Sequence, residues 1–348
     1  MEIENRIISD ARVLTEQFIP REITSRDGQL KVIRDSLRPL IKGLPARHSF
    51  LYGPPGTGKT CIARFVAEEL ASYTSSVLQS YVNCWECTSR FRVLYAVLQS
   101  LGMQLAVHRK GTPTDELLDV LRGKLKEQSC VIILDEVDQL EDDKIFYDLL
   151  ALPNACLIII SNSETALYTT DSRIRSRLAA AERLEFPLYR VREIVEMLKR
   201  RAEWGLIPGV IKNTQLEKLA DMSGGDARAA IGMLRVVAEA AENDDAESVA
   251  DTYLEKAKAF TASGTRERAL EKMNPYQRLI LDILSSRKTL DSGNLYREFT
   301  SLVSKRGLEP IVDRTFRRYM DKMVRCGLII PSGDGRWRTY SSVAEQAH

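Results

Sequence analysis

No apolar stretch in these 348 residues approaches the roughly 20 that a membrane-spanning helix needs, so no membrane partner is expected. The opening residues, MEIENRIISDARVL, lack a basic stretch followed by an apolar one, so no secretory leader is expected either. A cysteine framework is missing too. The six cysteines, Cys61, Cys84, Cys87, Cys130, Cys156 and Cys326, are scattered. Cys84 and Cys87 form a CxxC without a second pair at zinc-ribbon spacing, which favours reduced, mostly buried thiols of a cytosolic protein. Internal repeats and low-complexity tracts are absent. Net charge is nearly absent as well, +2 from 50 Lys and Arg against 48 Asp and Glu. That balance is uneven along the chain. Residues 274–340 hold 13 Lys and Arg against 7 Asp and Glu, a balance of +6, and the remainder stands at −4. The C-terminal end is therefore where an anionic partner is to be sought, a solvated basic face being the alternative.

The length is too great for one core and implies two or three domains. Continuous apolar runs at 131–134 and 157–160 read as strands buried on both faces, and 77–82 as a further strand. Periodic apolar patterns at 61–70 and 91–101 read as helices, and Thr112, Pro113 and Asp115 as the opening of another. Strands alternating with helices predict an α/β domain with a parallel sheet. After Pro187 the pattern turns helical over 190–241, with a cap at Gly224, Gly225 and Asp226. Residues 242–272 are poor in apolar side chains and read as an exposed helix or a linker. The expected domains are 1–188 for the sheet, 189–265 for a helical lid and 266–348 for a C-terminal domain.

Two motifs carry chemistry. Gly53, Pro54, Pro55, Gly56, Thr57, Gly58, Lys59 and Thr60 satisfy GxxxxGK[ST] between a strand and a helix. In that setting small residues let the backbone N–H groups, on to Cys61, wrap round phosphates. Lys59 is placed to reach the β/γ-phosphates and Thr60 to hold Mg²⁺. The run Val131 to Leu134 then delivers Asp135 and Glu136 at a strand end. Asp135 is the second metal-side group, and Glu136 the base that orients water. Asp138 reads as a solvated or capping acid. Asn162, after the next apolar strand, is placed to position that water. Arg228, in a helix capped by Asp226, is aimed from the lid towards the phosphates.

Together and in this order these residues resemble an AAA+ ATPase. The resemblance narrows at Pro20-Arg-Glu-Ile23 with Ser25 and Arg26, at Tyr81-Val-Asn-Cys84, at Phe186-Pro-Leu-Tyr189 and at Gly225-Asp-Ala-Arg228. These segments are similar to the archaeal initiators of the origin-recognition and cell-division-cycle family, over about residues 12–340. The resemblance implies ATP or ADP held between sheet domain and lid, with Ile19, Pro20, Ile23 and Tyr189 near the adenine. It implies a helix at 88–101 that touches DNA, with Arg90 and Arg92 on its polar side. It also implies an arginine acting in trans. The family's Asp-Pro-Arg is here Asp171-Ser-Arg173; Arg173 is favoured, with Arg175 and Arg177 as rivals, and this departure puts cooperative hydrolysis in doubt.

The basic end reads helix, helix, helix, hairpin. The third helix, over 313–326, directs Val312, Phe316, Tyr319 and Met323 to a core and Arg314, Arg317, Arg318 and Arg325 mostly elsewhere. Such a face can enter a major groove. Asp334-Gly335 signals a hairpin turn, followed by Arg336, Trp337 and Arg338. The pattern resembles a winged helix, with Trp337 where the family commonly has glycine. The function expected is replication initiation: binding of origin double-stranded DNA by a weak ATPase, switched by ATP, that recruits or loads a replicative helicase alongside other initiator subunits. The site expected is cytoplasmic and nucleoid-associated. Three rivals remain: a branch-migration motor, a clamp-loader subunit, and a nucleotide-bound regulator without hydrolysis.

Overall fold

The computed structural model describes residues 6–103, 112–164, 171–257, 270, 273–287, 289–325, 328–333 and 338–342. The chain divides into two compact units, Met1–Phe260 and Thr261–His348.

The first unit is built on a five-stranded parallel sheet of order β2-β3-β4-β1-β5, formed by β1 (Ser49–Tyr52), β2 (Val77–Asn83), β3 (Ser129–Asp135), β4 (Ala155–Ser161) and β5 (Glu182–Glu185). Helices cover both faces, which is why β3 and β4 are apolar without alternation. Ile132 and Leu134 point into one core with α3 (Arg90–Ser100), α4 (Thr114–Leu125), α5 (Lys144–Leu150) and α6 (Ser172–Leu178). Val131 and Ile133 point into the other, with α1 (Asp27–Leu37) and α2 (Lys59–Tyr73). Along α2, Ile62, Ala63, Val66, Ala67 and Leu70 recur at helical spacing and seal that face. Strand β5 escapes the apolar reading because it is short and charged, with burial alternating along Glu182–Glu185.

The lid comprises α7 (Val191–Gly205), α8 (Asn213–Met222) and α9 (Ala227–Asn243), packed through Ile194, Leu198, Leu219, Leu234 and Val237. Two expectations change here. The N-terminal segment, placed in the sheet domain by the boundary at 188, packs into the lid core through Ile7 and Leu14. The Glu242 carboxylate holds it, accepting from the Ile7 and Ile8 N–H groups at 2.7 and 2.8 Å. The acid-rich segment after 242 does not stay exposed as far as it is described, since Val249, Leu254 and Ala257 are buried in the same core.

The second unit contains α10 (Pro275–Arg287), β6 (Thr289–Asp291), α11 (Ser292–Lys305), α12 (Asp313–Arg325), β7 (Ile329–Ser332) and β8 (Thr339–Ser342), with an antiparallel sheet of order β6-β8-β7. This is a winged helix. Strand β6 was not expected; three residues between helices leave no period to read, and Asp291 belongs to β6 and also caps α11. Val312 is 69% exposed rather than core-facing, because α12 begins one residue after it. Phe316 is buried, with its ring centroid 5.0 Å from those of Phe299 and Tyr296. Phe316→Ala is expected to lower the unfolding free energy of this unit by about 3–5 kcal/mol, read from urea denaturation of the full chain. A midpoint unchanged from wild type would show that this aromatic cluster does not hold the unit together.

Candidate functional site

Strand β1 runs into the glycine-rich loop and α2 leaves it. The loop has backbone conformations that only glycine tolerates: a Cβ at Gly53, with φ +143°, would lie 2.2 Å from the Phe186 carbonyl oxygen. Gly58, with φ +88°, opens α2 as its N-cap. Thr57 Oγ1 donates to the Pro54 carbonyl at 2.8 Å and closes the loop on itself. Lys59 is buried; its ammonium donates to the Gly53 and Pro54 carbonyls at 2.7 and 2.8 Å and to Asn162 Oδ1 at 3.3 Å. Among the described residues no carboxylate forms an ion pair with it. Burial pushes its pKa down to about 8, against the pull of Asp135, and the nearby Arg228 charge adds to the depression. A buried ammonium that faces carbonyls at a helix N-terminus is suited to an anion such as a triphosphate.

At the end of β3, Asp135 Oδ2 accepts from Thr60 Oγ1 at 2.8 Å and from the Tyr81 hydroxyl at 2.9 Å, while Oδ1 accepts from the Glu136 N–H at 2.9 Å. The hydroxyl and carboxylate oxygens side by side suit a hard divalent cation such as Mg²⁺. Glu136 stands in the left-handed region, φ +54°, a conformation found where the backbone is bent to aim a side chain. Asp138, read as a solvated or capping acid, accepts from Ser161 Oγ and from the Asn162 N–H, both at 3.3 Å, and so ties the end of β4 to the turn after β3. The structure thus brings Lys59, Thr60, Asp135 and Asn162 together through direct contacts, with Glu136 next in the chain. The sequence reading gave no role to Tyr81; its hydrogen bond to Asp135 crosses from β2 to β3 and has no local signal.

The lid closes on the same loop. Asp226 caps α9, accepting from the Ala229 N–H at 2.9 Å, and the Ala227 N–H donates to the Gly56 carbonyl at 3.0 Å. A Cβ on Gly56 would lie 1.9 Å from Asp226 Oδ1. Arg228 turns towards Glu16, with Nε to Oε2 at 3.0 Å. Tyr189 is buried beside the loop, where its hydroxyl would lie 2.6 Å from a Gly58 Cβ, and the Arg26 guanidinium stacks 4.0 Å over its ring. Ile23 packs on the α2-side core, and Ile19 and Pro20 are half-buried. Arg201 of α7 holds the preceding segment by donating to the carbonyls of Val13 and Phe18. Arg173 lies exposed near the start of α6 and takes no part in this cluster. Arg177 lies 4.7 Å over the Tyr147 ring.

Among the expected DNA contacts, Arg314, Arg317 and Arg318 line the exposed side of α12, with Arg317 paired to Asp313 at 2.8 Å. Arg338 is exposed, while Arg336 and Trp337 lie outside the described residues. Arg92 is exposed on α3. Arg90 is half-buried and pairs with the Asp148 and Asp115 carboxylates, tying α3 to α5 and α4.

The family profile described as an AAA domain matches residues 44–166, and that of the Cdc6 AAA+ ATPase-type lid domain matches 195–259. ORC1-type DNA replication protein 9 of Halobacterium salinarum is 38% identical over 99% of this chain and 96% of its own length. The Aeropyrum pernix ORC1 protein, solved in complex with DNA, superposes with a TM-score of 0.77 at 25% identity, covering 99% of this chain and 95% of that one. The Aeropyrum pernix ORC2 protein, solved with ADPNP and ADP, gives 0.64 at 22% identity over 97% and 94%, a likeness of fold.

The depressed pKa of Lys59 has a measurable consequence. Phosphate favours the charged ammonium, so nucleotide binding raises this pKa from about 8. Below pH 8 the group is already protonated and affinity is level. Above it, binding must take up a proton, and affinity falls by up to about tenfold per pH unit. Calorimetry at pH 8 in buffers of different ionisation enthalpy is expected to show uptake of about half a proton per ATP, absent in Lys59→Arg. Equal heats in all buffers would place the ammonium away from the phosphates.

Proposed function

The chain belongs to the family of ORC1-type DNA replication proteins, and on that premise we propose how its residues work in an initiator that binds origin DNA under the control of ATP. It is an AAA+ ATPase, and DNA and nucleotide are its ligands. The observation that carries the reading is the joining of two features in one chain: a phosphate loop touched by a lid helix, and a winged helix whose α12 exposes arginines.

In this reading the loop N–H groups from Gly56 to Cys61 and Lys59 hold the phosphates, and Ile19, Pro20, Ile23 and Tyr189 enclose the adenine. Thr60 and Asp135 stand on the Mg²⁺ side, and Mg²⁺ when bound neutralises phosphate charge. Glu136 accepts a proton from the attacking water, which Asn162 helps to orient. Arg228 leaves Glu16 for the γ-phosphate, so the lid senses which nucleotide is present. Hydrolysis is slow and acts as a switch, because completion of the site waits on Arg173 of a neighbouring subunit. Support for that division is the exposure of Arg173 outside the cluster in its own chain. The initiator acts with other initiator subunits to recruit or load a replicative helicase, in the cytoplasm at the nucleoid. The DNA-contacting residues of this reading are Arg92 on α3 in the first unit and, in the second, Arg314, Arg317, Arg318, Arg336, Trp337 and Arg338.

The test uses α12. In the double variant Arg314→Ala with Arg318→Ala, two phosphate contacts are lost, and the slope of log affinity against log salt is expected to flatten by about 1.8. Nucleotide binding is expected to be retained, since the change lies in the other unit. An unchanged slope in a folded protein would make α12 a protein-docking helix instead.

A further inference from the structure

Tyr81 makes two polar contacts beside the glycine loop, to Asp135 and to Arg64, that the proposed function does not use. Alternation along β2 and β3 puts Tyr81 and Asp135 on the sheet face covered by α2, with Tyr81 paired to Ile133 and Asn83 to Asp135. On α2, Thr60 and Arg64 stand one turn apart and meet that pair: Thr60 bonds Asp135, and the Arg64 guanidinium lies 5.5 Å over the Tyr81 ring. We propose that Tyr81 is a positioning residue of the magnesium site, its phenol fixing the Asp135 carboxylate that faces Thr60. This rests on the reading of Thr60 and Asp135 as the Mg²⁺-side groups.

Three donors hold the carboxylate: Thr60 and Tyr81 on Oδ2, and the Glu136 N–H on Oδ1. A carboxylate offers about four lone-pair sites, so about one is left open. Held in this way, Asp135 beside Thr60 would be the group that holds Mg²⁺, and its orientation depends on the phenol. Burial of the hydroxyl, together with the Asp135 charge, pushes the Tyr81 pKa upward, so the phenol remains a donor throughout the working pH range. Core packing does not account for the residue, since Tyr81 is 38% exposed. The ring's one hydrogen bond is from its hydroxyl to Asp135, which points to a role for the hydroxyl.

The test is ATP affinity by calorimetry, with saturating Mg²⁺ and with EDTA, for wild type, Tyr81→Phe and Arg64→Gln. Tyr81→Phe keeps the ring and its Arg64 contact but loses the hydrogen bond to a charged group. Its affinity is expected to fall about tenfold with Mg²⁺ and to match wild type in EDTA. Mn²⁺ titration of the ATP complex by electron paramagnetic resonance is expected to show the same weakening. Arg64→Gln removes the cation from the ring, keeps the phenol, and is expected to behave as wild type in both conditions. No change in Tyr81→Phe, an equal loss with and without metal, or the same loss in Arg64→Gln would overturn the proposal. A wild type that binds ATP equally with Mg²⁺ and EDTA would contradict the magnesium reading itself.

Discussion

The hydrogen bond from the Ala227 N–H to the Gly56 carbonyl is the contact on which the site depends. It seats the N-terminus of a lid helix on the glycine loop of the sheet domain. A second helix, α2, begins at Lys59 in the same loop, so two helix N-termini converge where phosphates belong. Each carries roughly half a positive charge. Asp226 sits between them, capping α9 and lying against Gly56, and no side chain larger than glycine's hydrogen fits there. One amide bond contributes only about 1 kcal/mol, and the Arg228–Glu16 and Arg201 contacts add to it.

Two cationic side chains, Lys59 and Arg228, gather at the glycine loop. Lys59 faces carbonyls, its pKa lowered by burial and by Arg228. Arg228 is held by Glu16, a partly exposed pair of the kind worth at most about 1 kcal/mol. In the proposed reading a γ-phosphate displaces only that weak partner. Glu16 belongs to the segment that precedes Ile19 and is anchored by Arg201, so the Arg228–Glu16 pair ties the lid to the proposed adenine-side segment.

Much of this was legible in the sequence, and the reason is local. The loop motif, the apolar strand ending in Asp135 and Glu136, and the Asp226 cap are each written within a few neighbouring residues. The parallel sheet followed from runs apolar on both faces, and α12 from its period. What escaped was made by contacts between distant positions. Ile7 joins the lid because Glu242 holds its amide. Arg90 looks like a basic surface residue until Asp148 and Asp115 meet it from two other helices. Asp138 and Tyr81 gained their roles only when strands β2, β3 and β4 were aligned. Strands β5 and β6 are too short or too charged to show a period.

The central claim is that the lid reads the γ-phosphate through Arg228. Calorimetry of ATP and ADP binding to wild type and Arg228→Ala tests it most directly. The account predicts that ATP affinity falls by about tenfold or more, while ADP affinity changes little. Equal losses for the two nucleotides, or none for either, would contradict it.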